Sequence, residues 1–154
     1  MLMEHIKPEW IDIPKHRPNF VKIKNSTIDN KGAFAIKNIK KGTFLGHYMG
    51  EIKENIQTGP YIFHSIRNNN MVAIDATDID KSNWTRYMNC STSKDNENVT
   101  SYFLNNQETY HINNQIQSLE GYIVFYANRD IKKGEELLYY YGDDYAKILG
   151  IKLT

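Results

Sequence analysis

A mostly β domain with few, short helices is the fold this sequence predicts, and three features predict it. Apolar runs of four to nine residues, rich in Phe, Ile, Val and Tyr, recur between clusters of Gly, Asn, Asp and Lys. Helix-like stretches are scarce and short throughout. Two segments also echo each other: AIKNIKKGTFL from Ala35 and ANRDIKKGEELL from Ala127 both run strand, short loop, Ile-Lys-Lys-Gly turn, strand. Two copies do not make a repeat protein, but they predict a domain assembled from similar corners.

Taken in order, residues 1–18 read as an extended arm, with Pro8 and Pro14 and the apolar anchors Trp10, Ile11 and Ile13. Phe20–Lys24 alternates as a strand. Asn25–Lys31 is a turn cluster in which Asn30 suits a positive φ, and Gly32–Ala35 resumes the strand. Phe44–Ile52 is one further strand, with Gly46 and Gly50 marking bulges or close backbone approaches. Tyr61–Ile66 and Met71–Ala76 pair across a polar turn, Arg67–Asn70. Asp80 or Ser82 caps a short helical turn carrying Trp84, Tyr87 and Met88. Thr92–Asn98 is a solvated loop, Val99–Leu104 a strand, and the Asn/Gln-rich stretch 105–120 a hairpin tip or insertion. Gly121–Ala127 is a strong β run. In the closing GEELLYYYGDDY, Leu137-Leu138 begin a buried strand and Gly142 breaks it. Asp143 caps a short helix to Gly150.

Bulk properties bound the function. A chain of 154 residues is one domain, and 40% hydrophobic with 24% charged residues is ordinary for a globular protein. The net charge of +1 makes no general case for a nucleic acid or an anionic membrane. No apolar run approaches the roughly 20 residues that span a bilayer, and the first ten residues do not read as a signal peptide. A single cysteine, Cys90, excludes an internal disulfide, and the five histidines lack metal-ligand spacing, so no metal is expected. An intracellular location follows from these features.

Three places could carry chemistry. Asn89-Cys90 closes RYMNCS, and a buried Asn there needs polar partners; a turn capped by Asn and Ser is the alternative. Tyr48, Phe125, Tyr139 and Tyr141 fall on predicted strands and could wall a channel for a long amine side chain, or simply pack. Asp29–Gly32 exposes backbone groups to a ligand, yet no phosphate loop, dinucleotide fingerprint or GxSxG elbow is present. The carboxylate pairs Glu135-Glu136 and Asp143-Asp144 read as turn and cap residues.

From about Phe20 to Tyr145 these segments resemble the SET domain of protein lysine methyltransferases. KGAFAIKNIKKG is similar to its opening Gly-x-Gly-Val-Phe-Ala stretch, with Asn30 in place of the first glycine. YMGE resembles its Tyr-x-Gly-Glu, RYMNCS its Arg-Phe/Tyr-x-Asn-His-Ser, and ANRDIKKGEELLYYYG its closing segment. NWTRYMNCS and the tail YGDDYAKILGIK are most similar to the PR-domain branch, which also carries cysteine where other members have histidine. The resemblance implies a SET-domain fold of small β-sheets with a knot-like C-terminal crossing. It places the catalytic domain at 19–146, with an insertion at about 105–120 and a tail at 147–154.

The same resemblance implies S-adenosyl-L-methionine as cofactor, with S-adenosyl-L-homocysteine as product. Asp29, Asn30, Lys31, Gly32, Tyr61, Asn89 and Cys90 would bind it. Tyr48, Phe125 and Tyr139 would line the substrate lysine channel, and Tyr141 would be catalytic. The implied partner is a lysine-containing peptide or protein, by family default a histone tail, in the nucleus; no direct nucleic acid and no membrane are expected. The alternative is a non-catalytic module of the same fold that binds peptide or protein partners.

Overall fold

A computed structural model describes residues 17–28, 30–54, 59, 61–91, 94–104, 109–112, 115–118 and 121–140. The expected arm anchors, Asp29, Tyr141 and the helix from Asp143 to Gly150 lie outside these residues. The described part is strands and 3-10 turns, as its sequence predicts. It divides into two compact units.

The first unit takes in 44–86 and 102–125. The single strand expected over Phe44–Ile52 is two, β3 (Phe44–His47) and β4 (Glu51–Lys53). β4, β5 (Ile62–Arg67) and β6 (Asn70–Asp75) form an antiparallel sheet of order β4-β6-β5. The β5–β6 hairpin turns on Asn68 and Asn69 at φ 52° and 63°, the left-handed geometry that a two-residue turn requires and that asparagine tolerates. The short helix expected near Asp80 is a pair of 3-10 turns, Ile79–Lys81 and Trp84–Tyr87, and the cap of the first is Asp78, whose carboxylate accepts from Asp80 N. The Asn/Gln-rich stretch forms a hairpin, β9 (Thr109–Ile112) with β10 (Gln115–Ser118). The core of this unit gathers Phe44, Leu45, Phe63, Ile74, Ile123 and Phe125, all under 3% exposed.

Gly50 shows why β3 and β4 part where they do. A Cβ there would lie 2.6 Å from Asp75 O and 2.7 Å from Asp75 C, which are backbone atoms at the end of β6. Main chain cannot swing aside as a long side chain can. Gly50→Ala should therefore destabilise by about 1–3 kcal/mol, lowering Tm by roughly 3–10 °C. Gly59→Ala, whose Cβ would meet among the described residues only the end of Ile62 at 3.4 Å, should leave Tm unchanged in the same thermal melts.

The second unit takes in 18–43, 87–101 and residues from 126 onward. β1 (Val21–Asn25) and β2 (Lys31–Ala35) form an antiparallel hairpin, Val21 facing Ala35 and Asn25 facing Lys31. Asn30 is not among the residues with positive φ; its carbonyl accepts from Ser26 N at 3.1 Å and closes the turn instead. Asn89-Cys90 is a two-residue strand, β7, rather than the end of a helix. β12 (Leu138–Tyr140) runs parallel to β7 on one side and to β8 (Val99–Phe103) on the other, pairing Leu138 with Asn89 and Tyr139 with both Cys90 and Val99. A C-terminal strand thus threads between two strands that are neighbours in sequence, which is the expected knot-like crossing. β12 is thus the neighbour of both β8 and β7, and β11 spans Ile123–Ala127.

Asn98 holds that crossing together. Expected in a solvated loop, it is only 2% exposed. Its N–H donates to Leu138 O at 3.0 Å, its Oδ1 accepts from Leu138 N at 2.8 Å and its Nδ2 donates to Glu136 O at 2.8 Å. One side-chain amide here imitates a strand edge, satisfying backbone groups that would otherwise be buried without partners.

Candidate functional site

In the second unit the turn between β1 and β2, strand β7 and the residue preceding Leu137 meet at one carboxylate. Glu136 bridges antiparallel to Phe34 and so stands over β2. Its carboxylate takes the space beside Gly32, where any Cβ would collide with it. That is a packing reason for glycine at this position. Ser26 Oγ donates to Glu136 Oε1 at 2.8 Å and also lies 3.0 Å from Oε2. Asn89 Nδ2 donates to Glu136 Oε2 at 2.7 Å and reaches Lys31 O at 3.1 Å and Ser26 Oγ at 3.3 Å. Hydrogen bonds to an ionised acceptor are short and about twice as strong as neutral ones, so the shortest of the three fixes the rotamer of Asn89.

Among the expected cofactor residues, the structure therefore brings Asn89, Lys31 and Gly32 together, and strand β7 places Cys90 next to them. Asn30 and Lys31 are exposed, Gly32 is buried, and Asn89 and Cys90 are half-buried. Cys90 Sγ lies 3.4 Å from Ser91 O. Glu136 and Ser26 were not expected from the sequence.

Tyr61, Tyr48 and Phe125 belong to the first unit. The Tyr61 ring lies beneath the Arg86 guanidinium at 4.0 Å, and Arg86 is itself tied by Nε to Ala76 O at 2.8 Å. Tyr48 and Phe125 are both buried and share a cluster with Phe63: Tyr48 stands 4.8 Å from Phe63 and 6.4 Å from Phe125 in centroid distance, and Phe63 lies 6.1 Å from Phe125. Tilted and edge-on rings at these spacings attract beyond their area burial. Phe63 completes this aromatic wall and is a further residue that the sequence did not single out. Tyr139, also buried, lies on β12 in the second unit.

Beside Tyr48 opens a cleft of about 260 Å³, lined by His47, Tyr48, Gly50, Arg67, Ile74 and Tyr122. Burial holds the His47 imidazole well below its ordinary pKa, to about 4, so it is neutral near pH 7. Its ring packs on Tyr122 at 5.5 Å, and the Arg67 guanidinium lies over the same tyrosine at 5.4 Å. Among the described residues, Asp75 is also strongly perturbed. A hydrogen bond from Lys53 Nζ at 2.7 Å and the Thr77 contacts hold its carboxyl down at about 2. No group of His, Cys, Asp and Glu suited to a metal ion occurs among the described residues. No helix among them is long and apolar enough to cross a membrane.

Comparison with known proteins places this geometry. The family model for the PR domain of PR domain zinc finger protein 2 matches residues 19–152. The human protein named "Putative histone-lysine N-methyltransferase PRDM6" is 27% identical over 163 residues, covering 95% of this chain but only 23% of that protein. The chain thus spans about a quarter of that relative. The structure of the methyltransferase domain of human PR domain-containing protein 2 superposes with a TM-score of 0.66 at 29% identity, covering 82% of this chain and 80% of that domain. A structure of ctPRC2, autoinhibited and bound to S-adenosylmethionine, superposes with a TM-score of 0.56 at 25% identity, covering 84% of this chain and 16% of that one. With its threaded C-terminal strand, its Asn89-Cys90 strand and a family match over most of its length, the chain belongs to the PR-domain branch of the SET-domain family.

Proposed function

We propose that this chain is an S-adenosylmethionine-dependent protein lysine N-methyltransferase that acts on histone tails in the nucleus. The observation that carries the reading is the fixed Asn89 amide at the β1–β2 turn. It is held by Glu136, Ser26 and Lys31 O at the crossing of β7 and β12. A relative named for histone-lysine methylation and a neighbour that binds S-adenosylmethionine support it.

The residues present fit the cofactor. A carboxylate, a hydroxyl and a main-chain carbonyl surround one amide, an acceptor-rich set that suits a ligand fragment carrying a cationic amine. Asp29, Asn30, Lys31 and Gly32 would meet that fragment, Asn89 and Cys90 would hold the remainder, and Tyr61 would line the pocket. The cofactor, when bound, supplies an electrophilic methyl group on a sulfonium.

The chain's own task is positioning and desolvation. A lysine amine, with a pKa of about 10.4, is protonated at neutral pH. A channel walled by Tyr48, Phe125 and Tyr139 removes water from it and so favours the neutral nucleophile without a dedicated base. Tyr141 would orient the amine, and such alignment can supply much of the rate.

The test is methyl transfer from labelled S-adenosylmethionine to mixed histones and to a lysine-peptide array, with wild type beside Tyr141→Phe. Wild type should label a histone tail, and the variant should fall by about tenfold or more. Saturating cofactor at 100 times its Kd should also stabilise the wild-type fold by about 2.7 kcal/mol. Stabilisation without transfer to any substrate would point to the non-catalytic module. The absence of both transfer and stabilisation would remove the cofactor reading altogether.

A further inference from the structure

The two Ile-Lys-Lys-Gly corners that echo each other in sequence are partners in the fold. Ile39 and Ile131 form an antiparallel bridge, each N–H donating to the other's carbonyl at 2.8 Å. Gly42 N donates to Ala127 O at 2.8 Å, and the equivalent Gly134 N donates to Ala35 O at 2.7 Å. Asp130 Oδ1 accepts from Lys41 N at 2.9 Å, and its counterpart Asn38 Oδ1 accepts from Lys133 N at 2.9 Å. Each of these contacts has a twin, so the pairing is an approximate two-fold within the second unit.

That register decides where the cations go. Ile39 and Ile131 are buried, so the alternation of an extended chain turns their neighbours Lys40 and Lys132 outward. They stand diagonally across the bridge, a relation that sets positions roughly 7–8 Å apart. Lys37, Lys41, Arg129 and Lys133 are exposed beside them. Of the acids in the two corners, Asp130 has an oxygen engaged by a backbone N–H and Glu135 is paired with Arg129 at 3.1 Å. None of the five lysines forms an ion pair among the described residues. With Glu136 as the third acid, six cations against three carboxylates make a local charge of +3 on a chain whose net charge is +1.

We propose that this paired-corner surface docks the phosphate backbone of double-stranded DNA. The chemistry of the patch selects that partner. The segments 35–42 and 127–134 contain no aromatic residue, so nothing there stacks an unpaired base. None of the large apolar side chains exposed among the described residues, Ile28, Ile52, Met71, Ile79 and Tyr102, belongs to the two corner segments, so these segments supply no apolar anchor of the kind a protein partner needs. Bare cations on a rigid scaffold suit regularly spaced phosphates, which bind by counterion release without base contacts. This proposal does not rest on the methyltransferase reading.

The test is fluorescence anisotropy of a labelled 20-base-pair duplex with the full chain, from 50 to 200 mM salt. About five phosphate contacts give a slope of log K against log[salt] near −4.5, so affinity should fall roughly 500-fold over that range. Lys40→Gln/Lys41→Gln/Lys132→Gln/Lys133→Gln should bring the slope to about −1. Should that variant fail to fold, Lys40→Gln/Lys132→Gln should reduce the slope by about 2. Lys22→Gln/Lys81→Gln, which removes cations elsewhere, should leave it in place. Absence of duplex binding at 50 mM salt, an unchanged slope in the corner variants, or binding of poly-glutamate in preference to the duplex would each overturn the proposal.

Discussion

Asn89→Ala should weaken S-adenosylmethionine binding by about 100-fold while leaving most of the fold's stability intact. The amide nitrogen it removes touches Glu136 Oε2 at 2.7 Å, Lys31 O at 3.1 Å and Ser26 Oγ at 3.3 Å. A hydrogen bond to a charged group contributes about 1.5–3 kcal/mol: the free protein loses that much stability, and a ligand group held equally well by the same amide loses up to about 100-fold in affinity. The loss falls on a half-buried carboxylate that then keeps, among the described residues, the hydrogen bond from Ser26. Glu136→Gln should cost less, about tenfold, because the amide keeps the shape but cannot accept on both sides at once.

The pair of substitutions separates positioning from simple destabilisation. If Glu136 acts through Asn89, the double variant should bind about as weakly as Asn89→Ala alone, a coupling that additive effects would not give. Calorimetric titration with the cofactor reads affinity, and urea unfolding of the free protein reads stability. Unaltered affinity in Asn89→Ala would remove this cluster from the cofactor site.

Glu136 also shows where the sequence stops being legible. In GEELL it reads as a turn residue, because its partners Ser26 and Asn89 lie 110 and 47 positions away. Asn98 is hidden for the same reason: a polar residue in a polar stretch gives no local sign that it will be buried to satisfy a strand edge 40 residues on. Strands are the opposite case. Alternation and turn residues are local, so β1, β2, β5, β6, β8 and β11 were readable to within a residue or two. The break between β3 and β4 was less so, since it depends on how close Gly50 comes to the backbone of Asp75. The aromatic wall falls between these cases. Tyr48 and Phe125 stood out by their motifs, whereas Phe63 is an ordinary strand phenylalanine until the fold sets its ring 4.8 Å from Tyr48.

The stability of the fold should fall by about 3 kcal/mol between pH 7 and pH 4, and His47→Phe should abolish that fall. In the unfolded chain a histidine takes up its proton near pH 6.5; in the folded chain burial holds His47 off to about 4. Between those values the unfolded state binds a proton that the folded state refuses, so acid favours unfolding. A shift of about 2.5 units at 1.36 kcal/mol each gives the magnitude. The neighbourhood reinforces the sign, because a charged His47 would share the Tyr122 ring with the Arg67 guanidinium. Phenylalanine keeps the ring contact with Tyr122 and titrates nowhere. The backbone carbonyl of His47, which accepts from Asn83 Nδ2 at 3.0 Å and from Thr85 Oγ at 3.2 Å, is untouched by the change. Asp75 acts in a lower window. Its carboxyl is held near 2 by Lys53 and Thr77, so its contribution is present above about pH 4 and is lost only as pH falls towards 2. Urea unfolding at pH 7, 5.5 and 4.2 distinguishes the two groups. A wild-type free energy that declines through this series while His47→Phe stays level assigns the slope to His47; an equal decline in both proteins would mean that the ring accepts its proton in the folded state.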